Sequence, residues 1–324
     1  MTAPALSRSK LFEAPRAVFV GGPTASGKSE FAHRLALERG GTIISADSMQ
    51  IYRGLDIGTA KEPENRRSEV DYRLIDIVDA GESYSVSDFA AAAEQAARDA
   101  ISRGSLPIVC GGTGLYFESL FRPLGLGGAA ADPALRLELS ALYDEIGGEK
   151  FRDLLRECDM ASAEKLHPND KKRLVRAMEA AKLTGKPLSE QKDEFSGDFI
   201  LVCFTAPREE LYARTDARAD KMIKAGLPEE AARFLDALGG EAQSMKAIGY
   251  KEFLPYMDEY RENGGFSAEG LDEIAKNIKK NTRNYAKRQL TWFRRYPFAR
   301  WFAAGDHDGA AAYVRERLSG GTTL

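Results

Sequence analysis

The chain predicts an α/β fold: a phosphate-loop (P-loop) core with a parallel sheet, an inserted all-helical domain and a helical C-terminal region. Three observations predict it. Gly22-Pro23-Thr24-Ala25-Ser26-Gly27-Lys28-Ser29 fits G-x-x-x-x-G-K-[ST] between an apolar run and a helical one. Strand-like and helix-like runs alternate through the first third, the rhythm of a parallel sheet covered on both faces. Strand-like runs then vanish from Asp132 to about Lys192 and return at Phe199-Ile200-Leu201-Val202-Cys203-Phe204, as though helices had been inserted into the core.

Met1 to Glu13 has no apolar signal core and reads as a short disordered lead-in. Ala17-Val18-Phe19-Val20 is the first strand, and the segment Glu30 to Arg39 after the loop is a helix stopped by Gly40-Gly41. Thr42 to Ser45 is a second, short buried strand. Tyr72 to Val78 is a third apolar run. Ser87 to Arg103 is Ala-rich and helical, with Ser87 as N-cap and Gly104 as stop. Leu106 to Cys110 is a strand running into Gly111-Gly112-Thr113-Gly114. Asp132-Pro133 opens a helix of the insert, Asn169-Asp170 caps another, and from Arg208 onward the chain reads as helical. The boundaries that follow are 14–122 and 198–304 for the core, 123–197 for the insert, and 1–13 and 305–324 as tails.

With 324 residues, 43% of them hydrophobic, the chain is long enough for about two domains and a sizeable core. No run approaches the roughly 20 apolar residues of a membrane span. Cys110, Cys158 and Cys203 are far apart and read as buried free thiols, and three scattered histidines argue against a protein-ligated transition metal. The net charge of −3 hides an asymmetry. Between Lys276 and Arg300 lie nine basic residues and no acid, with Trp292 and Trp301 in or beside the tract. Basic density interleaved with aromatics points to nucleic acid. On a helix from about Leu271 to Arg294, Ile274, Ile278, Tyr285 and Trp292 share a face, opposite Lys276, Lys280, Arg283, Lys287 and Arg294. The basic stripe is expected to face outward, either as an electrostatic rail or as an ordinary solvated face.

The loop aims backbone N–H groups and a helix N-terminus at a di- or triphosphate. Lys28 adds a point charge, and the Ser29 hydroxyl can ligate Mg²⁺. Asp47 follows the second strand and so belongs at the sheet edge where open α/β sheets bind ligands. By itself it could hold a metal through water, act as a general base, or cap a turn.

Asp47-Ser48-Met49-Gln50-Ile51-Tyr52-Arg53-Gly54-Leu55-Asp56-Ile57-Gly58-Thr59-Ala60-Lys61 resembles the segment D-S-x-x-x-Y-x-x-x-D-I-G-T-A-K of the tRNA dimethylallyltransferases. Gly22 to Ser29, Gly111-Gly112-Thr113-Gly114-Leu115-Tyr116, His167-Pro168-Asn169-Asp170 with Arg173 and Arg176, Gly249-Tyr250, and Lys287 to Arg294 also match, in family order from about residue 17 to 302. The resemblance implies transfer of the prenyl group of dimethylallyl diphosphate to N6 of adenosine 37, beside the anticodon of a tRNA, with release of diphosphate and with Mg²⁺ as cofactor. It implies Gly22, Pro23, Thr24, Ala25, Ser26, Gly27, Lys28 and Ser29 as diphosphate contacts. Thr24, Asp47 and Arg218 are implied as catalytic, with Asp47 as base and Ser29 at the metal. Implied tRNA contacts are Asp47, Ser48, Met49, Gln50, Thr113, Arg136, Lys172, Arg173, Leu174, Val175, Arg176, Lys246, Ala247, Ile248, Gly249, Tyr250, Lys251, Lys287, Arg288, Gln289, Leu290, Thr291, Trp292, Phe293 and Arg294. The insert then looks like a jaw over the anticodon loop. Ala80 stands where the family commonly has proline, and the zinc-finger extension of eukaryotic members is missing. A bacterial-type monomer of the cytoplasm, binding no membrane, is the expectation.

A P-loop small-molecule or nucleoside kinase would explain the loop but neither the 47–61 segment nor the basic tract. A prenyltransferase that uses adenylate would not need a large basic surface. A tRNA-binding module without catalysis is disfavoured by intact Lys28, Ser29, Asp47 and Arg218.

Overall fold

A computed structural model describes residues 8–122, 132–190, 195 and 197–320. Six parallel strands form one sheet: β1 (Val18–Gly21), β2 (Gly41–Ser45), β3 (Asp71–Arg73), β4 (Leu106–Cys110), β5 (Ile200–Thr205) and β6 (Ala299–Ala303), in the order β3-β2-β4-β1-β5-β6. β1 is central, with Val18 level with Ile108 of β4 and Ile200 of β5. It is buried throughout, which is why it reads as a continuous apolar run rather than an alternating one. Strand order reverses at β1, so the loop after it opens at the crevice where such sheets bind ligands.

The chain separates into two compact units, Met1–Ser119 with Gly197–Leu324, and Leu120–Ser196. In the first, one apolar cluster joins the sheet to the helix Lys28–Arg39 through Val18, Phe31, Leu35, Ile108 and Phe204. A second gathers Ile51, Tyr52, Leu55, Tyr250, Ile274 and Ile278. In the second unit, the helices Pro133–Ile146, Gly148–Cys158, Met160–Lys165 and Lys171–Thr184 bury Leu139, Phe151, Leu155, Leu174 and Met178 among themselves. Asp132 caps the first of these, accepting from the N–H groups of Ala134 and Leu135, and Asp170 caps the last.

Several local readings change. The helix near residue 87 runs Val86–Ser102, and its cap is Ser85, paired reciprocally with Asp88 in a capping box. The run 72–78 does not continue as a strand, because Leu74 and Asp76 take positive φ (62° and 55°) and turn the chain away from the sheet. The supposed lead-in contains the helix Arg8–Phe12, with Leu11 and Phe12 buried. The supposed C-terminal tail forms the helix His307–Ser319, which buries Ala310, Ala311 and Val314 against the sheet. β6 was hidden inside a basic stretch read as helical. Cys110 and Cys203 are buried free thiols, whereas Cys158 is exposed.

Candidate active site

The phosphate loop leaves β1 at Gly22, whose φ is +128°, and enters the helix Lys28–Arg39 from Gly27, whose φ is +89°. A Cβ at Gly22 would stand 2.6 Å from the Phe204 carbonyl oxygen, so only glycine lets the loop fold this tightly over β5. Ser26 Oγ is buried without a hydrogen-bond partner. Such a group suits a ligand oxygen. Lys28 Nζ donates to the Pro23 carbonyl (3.1 Å). Burial draws the Lys28 pKa below its ordinary value, and Arg218 adds to the depression.

Gln289, five per cent exposed, reaches the loop from the helix Ala268–Phe293. Its side-chain oxygen accepts from the Thr24 N–H (2.9 Å) while its amide nitrogen donates to the Gly112 carbonyl (2.9 Å). Arg218 Nη1 donates to Thr24 Oγ1 (3.2 Å). Asp47 Oδ1 accepts from the Met49 N–H (2.9 Å), so the carboxylate does cap a turn, and it also faces the site.

Two cavities of about 310 Å³ each meet at Thr24, Asp47, Thr59, Ala60, Arg218 and Tyr285, which line both. The first holds the phosphate loop through Ser29, with Gln50, Glu62, Arg66, Tyr72 and Cys110. The second is bounded by Ser48, Met49, Met222, Lys246 to Gly249, Lys251 and Arg288. Glu30 and Glu62 in the first are drawn to Arg66, at 2.7 and 3.5 Å. Among the described residues no group of three His, Cys, Asp or Glu side chains could hold a metal. The exposed Ser29 lines the first cavity, and its hydroxyl would suit a cation such as Mg²⁺ that keeps waters and takes phosphate oxygens.

The wall between the cavities is fastened from behind. Glu230, eight per cent exposed, accepts from the N–H groups of Asp56 (3.0 Å), Ile57 (3.0 and 3.1 Å) and Gly58 (3.0 Å), and from the Tyr250 hydroxyl (2.7 Å). Gln50 Nε2 donates to the carbonyls of Thr59 and Ala60 (3.3 Å each). Lys61 Nζ is enclosed by Asp56, Asp76 and the Tyr52 carbonyl. Sequence reading missed Glu230, Gln289 as a clamp, and Tyr285 as a site residue. Glu230 looks like any first-turn helix acid, and its backbone partners lie more than 170 positions away.

The expected tRNA contacts sort by burial. Leu174 and Val175 lie in the core of the second unit, and Tyr250, Phe293 and Gln289 are buried in the first. The side chains of Leu174, Val175, Tyr250 and Phe293 pack rather than face outward, while that of Gln289 lines the first cavity. Leu290 packs toward Ala25, Leu211 and Ala286. The Trp292 indole donates to the Tyr296 hydroxyl (3.0 Å) and covers Gly114. Arg136 and Arg176 both bind the fully buried Glu179 carboxylate, each within 2.8 Å. That double grip satisfies a buried charge. Lys172, Arg173, Lys246, Lys251, Lys287, Arg288, Thr291 and Arg294 are exposed. Arg214, one turn from Arg218, pairs with Glu210 on the surface.

The basic stripe is partly neutralised. Lys276 pairs with Asp272 one turn back (2.7 Å), and Lys279 and Arg283 reach Asp220 (2.6 Å) and Asp216 (2.7 Å) on the helix Arg208–Lys224. Lys280, Lys287 and Arg294 are exposed and make no ion pair among the described residues. No described helix is long and apolar enough to cross a membrane.

Residues 50–296 match the family model described as IPP transferase, and residues 15–74 match that of isopentenyl transferase. A tRNA dimethylallyltransferase of Pelotomaculum thermopropionicum is 42% identical over 302 residues, covering 91% of this chain and 93% of its own length. One from Halalkalibacterium halodurans is 40% identical over 90% of this chain and 92% of its own. Among solved structures, the tRNA isopentenylpyrophosphate transferase of Bacillus halodurans superposes with a TM-score of 0.68 at 37% identity, covering 94% of this chain and 97% of that one. A eukaryotic dimethylallyltransferase solved acting on tRNA gives a TM-score of 0.77 at 27% identity, covering 94% and 78%.

Proposed function

The chain belongs to the IPP transferase family, the tRNA dimethylallyltransferases, and from that premise we propose that it moves the dimethylallyl group of dimethylallyl diphosphate to N6 of adenosine 37 in tRNA. The enzyme is a prenyltransferase of tRNA. The observation that carries the reading of its site is the continuity of the two cavities through Thr24, Asp47, Arg218 and Tyr285. A donor diphosphate in the first cavity would place its reacting carbon at the waist, and an unstacked base in the second would place its amine there.

Loop N–H groups, Ser26, Lys28 and Arg218 stabilise the charge that develops on the leaving diphosphate. Ser29 would hold Mg²⁺ together with diphosphate oxygens and water, and the ion, when bound, supplies further charge neutralisation. The C1–O bond breaks toward diphosphate, and the adenine N6 lone pair forms the new bond to C1. The surplus N6 proton passes to Asp47, whose second oxygen is left uncommitted by the turn. The exposed Lys287, Arg288 and Arg294 supply phosphate contacts, and Lys172 and Arg173 of the helical insert supply others. A monomer acting in the cytoplasm completes the proposal.

The test is incubation with labelled dimethylallyl diphosphate and, in separate reactions, tRNA, AMP or a kinase acceptor. Label should enter tRNA alone, at the adenosine beside the anticodon. Label in AMP, or tRNA-stimulated ATP hydrolysis without prenyl transfer, overturns the assignment.

A further inference from the structure

Heterolysis of an allylic diphosphate leaves positive charge on C1 and C3 of the prenyl group as the negative charge departs with the leaving group. The waist offers cationic and polar groups for the anion, but the cation needs a different partner. Of the six residues that line both cavities, Tyr285 is the one aromatic side chain. Thr113 and Gln289 are the polar side chains nearest in effect to its hydroxyl, both favouring the ionised form while burial disfavours it more. The side chain lines both cavities. Burial and the nearby Asp47 push the phenol up to about 12, so it stays neutral at any working pH. The ring is already the kind of surface that accepts a cation: the Arg288 guanidinium sits 5.6 Å from its centroid.

We propose that the ring of Tyr285 is a further catalytic group, stabilising the allylic cation through its π-face while diphosphate leaves and before N6 bonds to C1. The inference rests on the prenyl-transfer reading above. The polar side chains around Tyr285 serve both sides of the site: Gln289 accepts from the Thr24 N–H (2.9 Å) on the donor side, and Thr113 Oγ1 accepts from the Ser48 N–H (3.1 Å) on the acceptor side. The ground-state prenyl group is neutral and gains little from a π-face, so the effect belongs to the transition state.

The experiment replaces Tyr285 by phenylalanine and then by mono-, di- and trifluorinated phenylalanines through non-canonical incorporation. Single-turnover prenyl transfer is measured with saturating tRNA, alongside the dissociation constant for dimethylallyl diphosphate and a thermal melt. Fluorine withdraws charge from the ring face with little change of shape. The logarithm of the transfer rate should therefore fall steadily with fluorine number, about tenfold or more across the series. Donor affinity and melting temperature should hold. Tyr285→Leu should transfer about 10–100-fold more slowly than Tyr285→Phe. A flat series, or a Tyr285→Phe enzyme as slow as Tyr285→Leu, overturns the proposal, the latter by assigning the role to the hydroxyl. Failure of the unsubstituted enzyme to prenylate tRNA would instead overturn the functional reading on which the series depends.

Discussion

Replacing Glu230 by alanine strips the acceptor from four donors at once: the N–H groups of Asp56, Ile57 and Gly58, and the Tyr250 hydroxyl. A buried donor left without a partner costs about 1–3 kcal/mol. The 56–58 backbone is only half-buried and can recruit water, so the low end applies to it, and the sum is about 4 kcal/mol. For a unit of this size, about 2–4 °C of melting temperature follows each kcal/mol, which gives a drop of about 8–16 °C. Glu230→Gln keeps one accepting oxygen but points an NH₂ group at N–H donors, and should lose about half as much. Tyr250→Phe removes one hydroxyl and should cost about 1 kcal/mol. Thr59 and Ala60, which follow the clamped residues directly, line both cavities, so catalysis should suffer well below the melting temperature. A shift of about 1 Å in such a wall can cost about a hundredfold. Calorimetric melting and single-turnover prenyl transfer check both halves. If Glu230→Ala melts within 2 °C of the parent with unaltered transfer, the wall is held by something other than this carboxylate (about 0.5–1 kcal/mol would be all the clamp supplies).

Asp47→Asn should lower single-turnover transfer by about 10²–10⁴ while tRNA affinity changes little, as loss of a general base requires; lost tRNA binding with intact turnover would make Asp47 a recognition residue. Burial depresses the Lys28 pKa, so its charge is fully present below the depressed value and lost as pH rises through it. Donor affinity should accordingly decline on the alkaline side, and diphosphate binding there should take up a proton, seen by titration calorimetry in buffers of different ionisation enthalpy. Lys280→Glu combined with Lys287→Glu should raise the Michaelis constant for tRNA and flatten its salt dependence with folding intact. Identical salt titrations for parent and variant would leave the stripe a solvated face.

Much of the fold was legible because its signals are local. The phosphate loop declares itself through glycines that only one backbone path requires, and β1, β2, β4 and β5 through apolar runs that parallel strands buried on both faces must have. β6 was not legible, since Ala299-Arg300-Trp301-Phe302-Ala303 is an edge strand with no fully buried residue and with basic flanks. Within the site, Asp47 and the 47–61 segment stood out by resemblance. The groups that hold them did not. Glu230 and Gln289 act across sequence distances of more than 170 and 260 positions, and no periodicity or spacing encodes a partner that far away.

The helix Ala268–Phe293 illustrates why its face assignment was right for Ile274 and Ile278 yet incomplete. Burial recurs at Ile274, Ile278, Ala286, Gln289 and Phe293, so a polar residue shares the buried face, because its two hydrogen bonds replace those it would make to water. The same helix carries Lys279 and Arg283, neutralised by Asp220 and Asp216 of the neighbouring helix, and Lys280 and Lys287, which make no ion pair among the described residues. A reading of one helix in isolation sees like charges that repel. Once the neighbouring helix packs against it, two of those charges become ion pairs that fasten the two helices together. Lys280 and Lys287 stand two turns apart on the same helix, both exposed. The residues that grip the donor loop and those that would grip a polyanion are thus adjacent on a single helix, Lys287 and Arg288 directly preceding Gln289. That adjacency fixes the distance between the two grips by helix geometry alone, without a hinge between them.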